Sequence, residues 1–207
     1  MSDSVNIDKT ILDLIDKSLK APQKSPEWLK QRHGILSSSE VASALDANLH
    51  ESSMELLKRK CSPLSDADLV TSKSISWGEK YEPIAKKIFE EITNEKIMDV
   101  GLIIHSTIPW LGTSPDAIVL SKKLLEIKCP FHRHIIDGRI PYYYWIQTQM
   151  QMEVCDLDEC YFLQCRFEEN ALNSTGHTYS GVHPDGTKWY LKKYTLNVID
   201  RDRDWFA

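Results

Sequence analysis

The sequence predicts an α/β layer structure, a central mixed β-sheet flanked by helices. Three observations carry this. Apolar residues recur at helical spacing through the N-terminal part, short strand-like runs follow over residues 97–129, and one further helical stretch at 142–154 precedes two more strands.

In order, Ile7, Ile11, Leu14, Ile15 and Leu19 mark an amphipathic helix that ends before Ala21-Pro22. Ser25-Pro26-Glu27-Trp28 opens a short second helix, with Ser25 as N-cap, Pro26 at the first helical position and Gly34 at the end. SSSEVASAL begins a third helix and ESSMELLKRK forms a fourth, followed by a polar loop over 62–74. Ser76 and Glu79 have capping-box spacing for a longer helix, whose apolar face is Tyr81, Ile84, Ala85, Ile88, Phe89 and Ile92. Pro83 lies inside that pattern and is expected to kink it. Strands are expected near 97–105, 111–120 and 124–129, a helix across 142–154, and strands at 160–167 and 188–198. At RDRDWFA another helix is expected to begin. Residues 1–24 read as an N-terminal helix and linker, and 25–207 as a single domain.

The 207 residues are 42% hydrophobic, enough to bury a core. A net charge of −5 argues against a generally sticky nucleic-acid binder, although a local basic stripe can still steer a substrate. Lys122, Lys123, Lys128, Arg133 and Arg139, with His132 and His134 between them, make one such stripe; Lys58-Arg59-Lys60 makes another. The polar N-terminus and the lack of any apolar run near the roughly 20 residues of a membrane span point to an intracellular protein, cytoplasmic or nuclear in its host, neither secreted nor membrane-bound. Five cysteines, an odd number, read as reduced thiols. Cys155, Cys160 and Cys165, with Cys61 as a fourth, do not suit a cluster, because Cys160 and Cys165 are an odd number apart on one strand and face opposite sides. His105, His132, His134 and His177 have no partners at metal-ligand spacing and read as ordinary.

The most informative feature is Ser114-Pro115-Asp116 followed ten residues later by Glu126-Ile127-Lys128. Period-two alternation turns Glu126 and Lys128 to one side and Ile127 into the core. If the two strands pair as a hairpin, Asp116 comes beside Glu126. Two carboxylates and an ammonium on a buried sheet are costly without a partner. Mg²⁺, a hard cation that takes carboxylates, waters and phosphates, is the natural one. That set suits metal-assisted phosphodiester hydrolysis.

Five blocks, WLKQRHGILSSSE, WGEKYEPIAKKIFEE, GTSPDAIV, LLEIKCPF and YYYWIQTQMQMEV, together resemble the phage-type exonucleases of the PD-(D/E)XK superfamily, the group of lambda exonuclease and the YqaJ-like viral recombinases. The resemblance implies a nuclease that digests the 5′-ended strand of linear duplex DNA and leaves a 3′ single strand for recombination. It implies Mg²⁺, with Mn²⁺ able to substitute, and two ions per site. It makes Asp116, Glu126 and the Ile127 carbonyl metal ligands, Glu82 a ligand or water-holding partner, and Lys128 the group that positions the attacking water. Tyr144 and Gln147, at i and i+3 on one helix face, would turn toward the site, Gln147 to the catalytic water and Tyr144 to the DNA terminus. Arg32, Ser39 and Ser114 match the residues that bind the 5′-phosphate, Ser39 from a helix start. Trp28 fixes the helix carrying Arg32, while Gln149 and Gln151 read as surface or supporting residues. By family analogy the partners are DNA ends, a single-strand annealing protein and a trimeric assembly. Two other readings fit the same core: a restriction- or Cas4-type endonuclease, and a non-catalytic module that binds DNA ends.

Overall fold

The computed structural model describes residues 7–21, 25–64, 72–170 and 178–206; Pro22, His177, Ala207 and residues 65–71 of the expected loop lie outside the described residues. Helices α1 (Lys9–Lys17) and α2 (Pro26–His33) lead to β1 (Leu36–Ser37), α3 (Ser38–Ala44), α4 (Ser53–Cys61) and α5 (Lys73–Thr93). Then come β2 (Ile97–Met98), β3 (Ile103–Ile104), β4 (Leu111–Thr113), β5 (Ala117–Val119) and β6 (Lys123–Lys128). The remainder is α6 (Tyr142–Cys155), β7 (Glu159–Glu169), β8 (Ser180–Val182), β9 (Lys188–Asp200) and α7 (Arg203–Phe206), the last where a further helix was expected.

The main sheet has the order β2-β5-β6-β7-β9-β8, and a second, three-stranded sheet has the order β1-β4-β3. In the main sheet β6 and β7 run parallel while the other neighbours are antiparallel. The parallel pair needs a crossover, and α6 supplies it. Its central strands are covered on both faces, so AIV and LLEI read as nearly unbroken apolar runs. On one face Ile118, Leu124 and Phe162 meet Ile11 and Leu14 of α1, Val41 of α3 and Ile146 and Met150 of α6. On the other Ala117, Val119, Leu125 and Ile127 meet Tyr81, Ala85, Ile88 and Phe89 of α5. Cys160 joins the first core and Cys165 the second, as their odd spacing requires. Burial pushes the Cys155 and Cys165 thiols up to about 12, which leaves them inert at neutral pH.

Two expected strands are each broken in two. Residues 97–105 divide into β2 and β3, in different sheets, because the chain after α1 crosses at Gly101. A Cβ there would sit 2.1 Å from the Leu19 carbonyl oxygen, and the Leu19 N–H donates to the Leu102 carbonyl at 2.8 Å. Residues 111–120 divide at Ser114-Pro115-Asp116, where Pro115 has no N–H to offer a ladder. Helix α5 starts earlier than Ser76: Ser72 is its N-cap, accepting from the Ile75 N–H at 3.2 Å, and the helix runs on through Pro83. Strand β8 was not anticipated, since three residues are too few to show a period.

Candidate active site

The site forms where β5 begins. The antiparallel register sets Ala117 opposite Leu125, which carries Asp116 across to Glu126 and Ile127. Asp116 Oδ2 accepts from the Ile127 N–H at 2.6 Å, so the strand backbone itself orients the acid. Glu126, 2% exposed, faces α6 and is held there by three donors. Lys128 Nζ and Gln147 Nε2 (2.7 Å) both donate to its Oε1, and Gln151 Nε2 donates to its Oε2 at 2.6 Å. Lys128 also donates to Gln147 Oε1 at 3.3 Å and lies 4.6 Å from the centre of the Tyr144 ring. Tyr144 and Gln147 thus share one face of α6, as their spacing predicts.

The electrostatics are those of a crowded acidic site. Burial, then the charges of Glu126 and Glu82, push the Asp116 carboxyl well above the ordinary aspartate range, against a smaller opposing pull from Lys128 and the Ile127 amide. Burial alone would lower the Lys128 ammonium, but Glu126, Tyr144 and Asp116 outweigh it and keep Lys128 charged. Glu82 comes from α5. It pairs with Lys86, one turn on, at 3.1 Å, and Lys86 also reaches Asp99 at 2.8 Å. Glu82, Asp116, Ile127, Lys128, Tyr144 and Phe131 line one cavity of about 400 Å³. Among the described residues no three His, Cys, Asp or Glu close into a ligand cluster. The donor set still fits a hard dication: all oxygens, with Asp116 destabilised by two neighbouring carboxylates that a cation would neutralise.

A second group of residues gathers around Arg32 at the end of α2. Its Nη2 donates to Ser39 Oγ, its Nε to Ser37 Oγ at 3.2 Å, and its guanidinium lies 4.9 Å from the Trp28 ring centre. Trp28, besides packing in the core, donates its indole N–H to Ser114 Oγ at 3.3 Å. Arg32, Ser39 and Ser114 are therefore connected, Ser114 through Trp28, whereas Tyr144 lines the acidic cavity instead. The start of α3 is capped at Ser37, not Ser39: Glu40 Oε2 accepts from the Ser37 amide at 2.9 Å, and Ser39 is a residue inside the helix.

Several residues were misjudged from sequence. Arg59 and Lys60 are not a free basic stripe: both bind the buried Glu40 at 2.9 Å, and with Arg32 and Ser39 they line a cavity of about 370 Å³. Of the two readings given to Gln149 and Gln151, surface or supporting, burial removes the first: Gln151 bonds Glu126, and Gln149 Nε2 donates to the Asp200 carbonyl at 2.9 Å. The stripe from Lys122 to Arg139 is not continuous. Lys122 and Lys123 pair with Asp8 and Glu159 at one end of β6, and Lys128 stands at the other, about 17 Å away.

Residues 27–158, which contain every candidate site residue, match the YqaJ-like viral recombinase domain. The chain belongs to that family. Over 177 residues it is 36% identical to the uncharacterized protein R354 of Acanthamoeba polyphaga mimivirus, a match covering 77% of this chain and 32% of that one. The chain thus spans about a third of the length of that relative. Among solved structures it is similar to the alkaline exonuclease LHK-Exo from Laribacter hongkongensis, with a TM-score of 0.63 and 25% identity over 88% of this chain and 86% of that one. The same enzyme in complex with dAMP matches equally. The recombinase-family chain has the PD-(D/E)XK exonuclease fold, and its kinship supports a nuclease.

Proposed function

We propose that this chain is a divalent-metal-dependent DNA exonuclease that digests the 5′-ended strand of linear duplex DNA. The observation that carries the reading is the meeting of Asp116 and Lys128, on the wall of one cavity with Glu82 and Tyr144, with Glu126 buried directly behind and bonded to Lys128. Asp116, Glu126 and the Ile127 carbonyl would hold Mg²⁺ or Mn²⁺, with Glu82 supporting. When bound, such ions, two in this reading, supply Lewis-acid polarisation of the phosphoryl group and a water acidic enough to attack. Lys128 contributes a fixed positive charge where negative charge builds on the phosphate. Gln147, bonded to both Lys128 and Glu126, keeps the two in register.

Arg32, with Ser39 and Ser114, offers a charged fork and hydroxyls for a terminal phosphate. Tyr144, beside Lys128, would contact the nucleotide between that phosphate and the scissile bond. The dAMP bound by the Laribacter exonuclease supports a deoxynucleoside monophosphate as product. Digestion would leave a 3′ single strand, the substrate of an annealing protein, and family analogy alone makes the assembly a trimer.

The test uses end-labelled linear and covalently closed circular duplex, with and without Mg²⁺. Metal-dependent loss of the 5′ label from linear DNA, with circles intact, is the expected result. Nicked circles would indicate an endonuclease, and end binding without cleavage in Mg²⁺ or Mn²⁺ a binding module.

A further inference from the structure

We propose that Gln151 is a positioning residue: it fixes the lone pair through which Glu126 takes up a divalent cation. The inference rests on the metal-dependent reading above. Gln151 follows Gln147 by four residues, so both amides hang from the face of α6 turned to β6. An ionised carboxylate has about four lone-pair sites on its two oxygens and donates nothing. At Glu126, Oε1 already receives Gln147 and Lys128, and Oε2 receives Gln151. Three sites are taken. The open one lies on Oε2, and the bond from Gln151 sets where it points.

Packing does not explain this glutamine. Its side chain is fully buried, and its amide nitrogen faces Glu126 Oε2. That leaves Gln151 Oε1 buried with no partner among the described residues, an uncompensated polar atom. A methionine at 151 would fill similar space without that cost, as Met150 and Met152 do on either side. Gln149 differs, for its amide has two structural bonds, to the Asp200 carbonyl (2.9 Å) and from the Asp202 N–H (2.7 Å). The same helix thus carries one glutamine that ties down the end of β9 and one whose sole bond among the described residues is to Glu126.

Gln151→Met is the test, with Gln149→Met as the control for lost stability alone. Mn²⁺ is titrated into the full chain by calorimetry without DNA, melting temperatures are recorded, and kcat and KM are measured on 5′-phosphorylated duplex. Removing a group that orients a metal ligand typically costs 10- to 100-fold. Q151M should therefore bind Mn²⁺ about 10- to 100-fold more weakly, with kcat lowered and KM for DNA within about twofold. Q149M should melt lower yet bind Mn²⁺ as wild type does. Unchanged Mn²⁺ affinity in Q151M, with only a lower melting temperature, would overturn the proposal. Should Q151M fail to fold, Gln151→Ser, which also loses the reach to Glu126, takes its place with the same expected loss. A wild type that binds Mn²⁺ but cuts no DNA would sink the nuclease reading alone, since the titration still decides the role of Gln151. A wild type that binds no Mn²⁺ would sink both.

Discussion

Asp116→Asn should stabilise the metal-free protein and abolish its response to metal, two effects of opposite sign from one atom pair. The folded carboxyl is held well above the ordinary aspartate range by burial and by Glu126 and Glu82. Between the unfolded pKa of about 3.9 and the raised folded one, the native state binds more protons than the unfolded chain. Stability therefore falls as pH rises through that window, and the whole cost is present only above the folded pKa. Each pK unit of the rise is worth about 1.4 kcal/mol, or about 3–6 °C of melting temperature for a chain of this size. Asparagine carries no charge, and its oxygen can still accept from the Ile127 N–H. The advantage of the variant should be larger at pH 7.5 than at pH 4 and vanish on acidification toward pH 4. With Mn²⁺ at 100 times its Kd the wild type gains about 2.7 kcal/mol, roughly 5–11 °C, and the variant almost nothing. Scanning fluorimetry at both pH values, with and without Mn²⁺, should find the order of stabilities inverted by metal. A variant that melts below wild type without metal, or one with the wild-type Mn²⁺ shift, would refute the assignment of Asp116.

Lys128→Ala should lose cleavage by on the order of 100-fold or more while still binding DNA ends in Ca²⁺, because it removes a positioned charge and no phosphate fork; full activity would contradict its role. Arg32→Ala should cut the preference for 5′-phosphate over 5′-hydroxyl ends by about 10- to 150-fold without weakening Mn²⁺ binding, and equal wild-type rates on both ends would argue against the pocket. Burial pushes the Glu40 carboxyl up, but Lys60 and the Ser37 amide outweigh it and hold it below the ordinary glutamate range. That stabilisation is present above the unfolded pKa and lost as pH falls through the folded one. Glu40→Gln should thus cost about 1.5–3 kcal/mol at neutral pH in urea melts, and a gap that does not shrink on acidification would point to packing instead.

Asp116, Glu126 and Lys128 were legible because a strand's alternation and a short hairpin are local rules, and Tyr144 with Gln147 because helical spacing is another. The features that escaped depend on what crosses from elsewhere. The break at Gly101 is decided by the Leu19 carbonyl, and no apolar pattern within residues 97–105 records it. Glutamine reads as a solvent residue, yet Gln149 and Gln151 are buried because the groups facing α6 are the Asp200 carbonyl and Glu126, 51 and 25 residues away. Arg59 and Lys60 look like surface until the acid they grip, Glu40, is seen to be buried. The Glu82–Lys86 pair, at i and i+4, was open to the same local rule as Tyr144 and Gln147.

The break at Pro115 does more than interrupt a strand. On its N-terminal side Ser114 is tied through Trp28 to the Arg32 group, and on its C-terminal side Asp116 is tied to Ile127 and the acidic cavity. Two residues of extended chain span only about 7 Å. Both ends are anchored in separate sheets, so the distance between the Arg32 group and the acidic group is set by covalent geometry rather than by a flexible loop. In the proposed reading that short, rigid link measures how far from the strand end the bond is cut. Inserting one glycine after Ser114 should leave both groups intact and shift or blur the length of the released product. Unaltered mononucleotide release from such a variant would show that the register is set elsewhere.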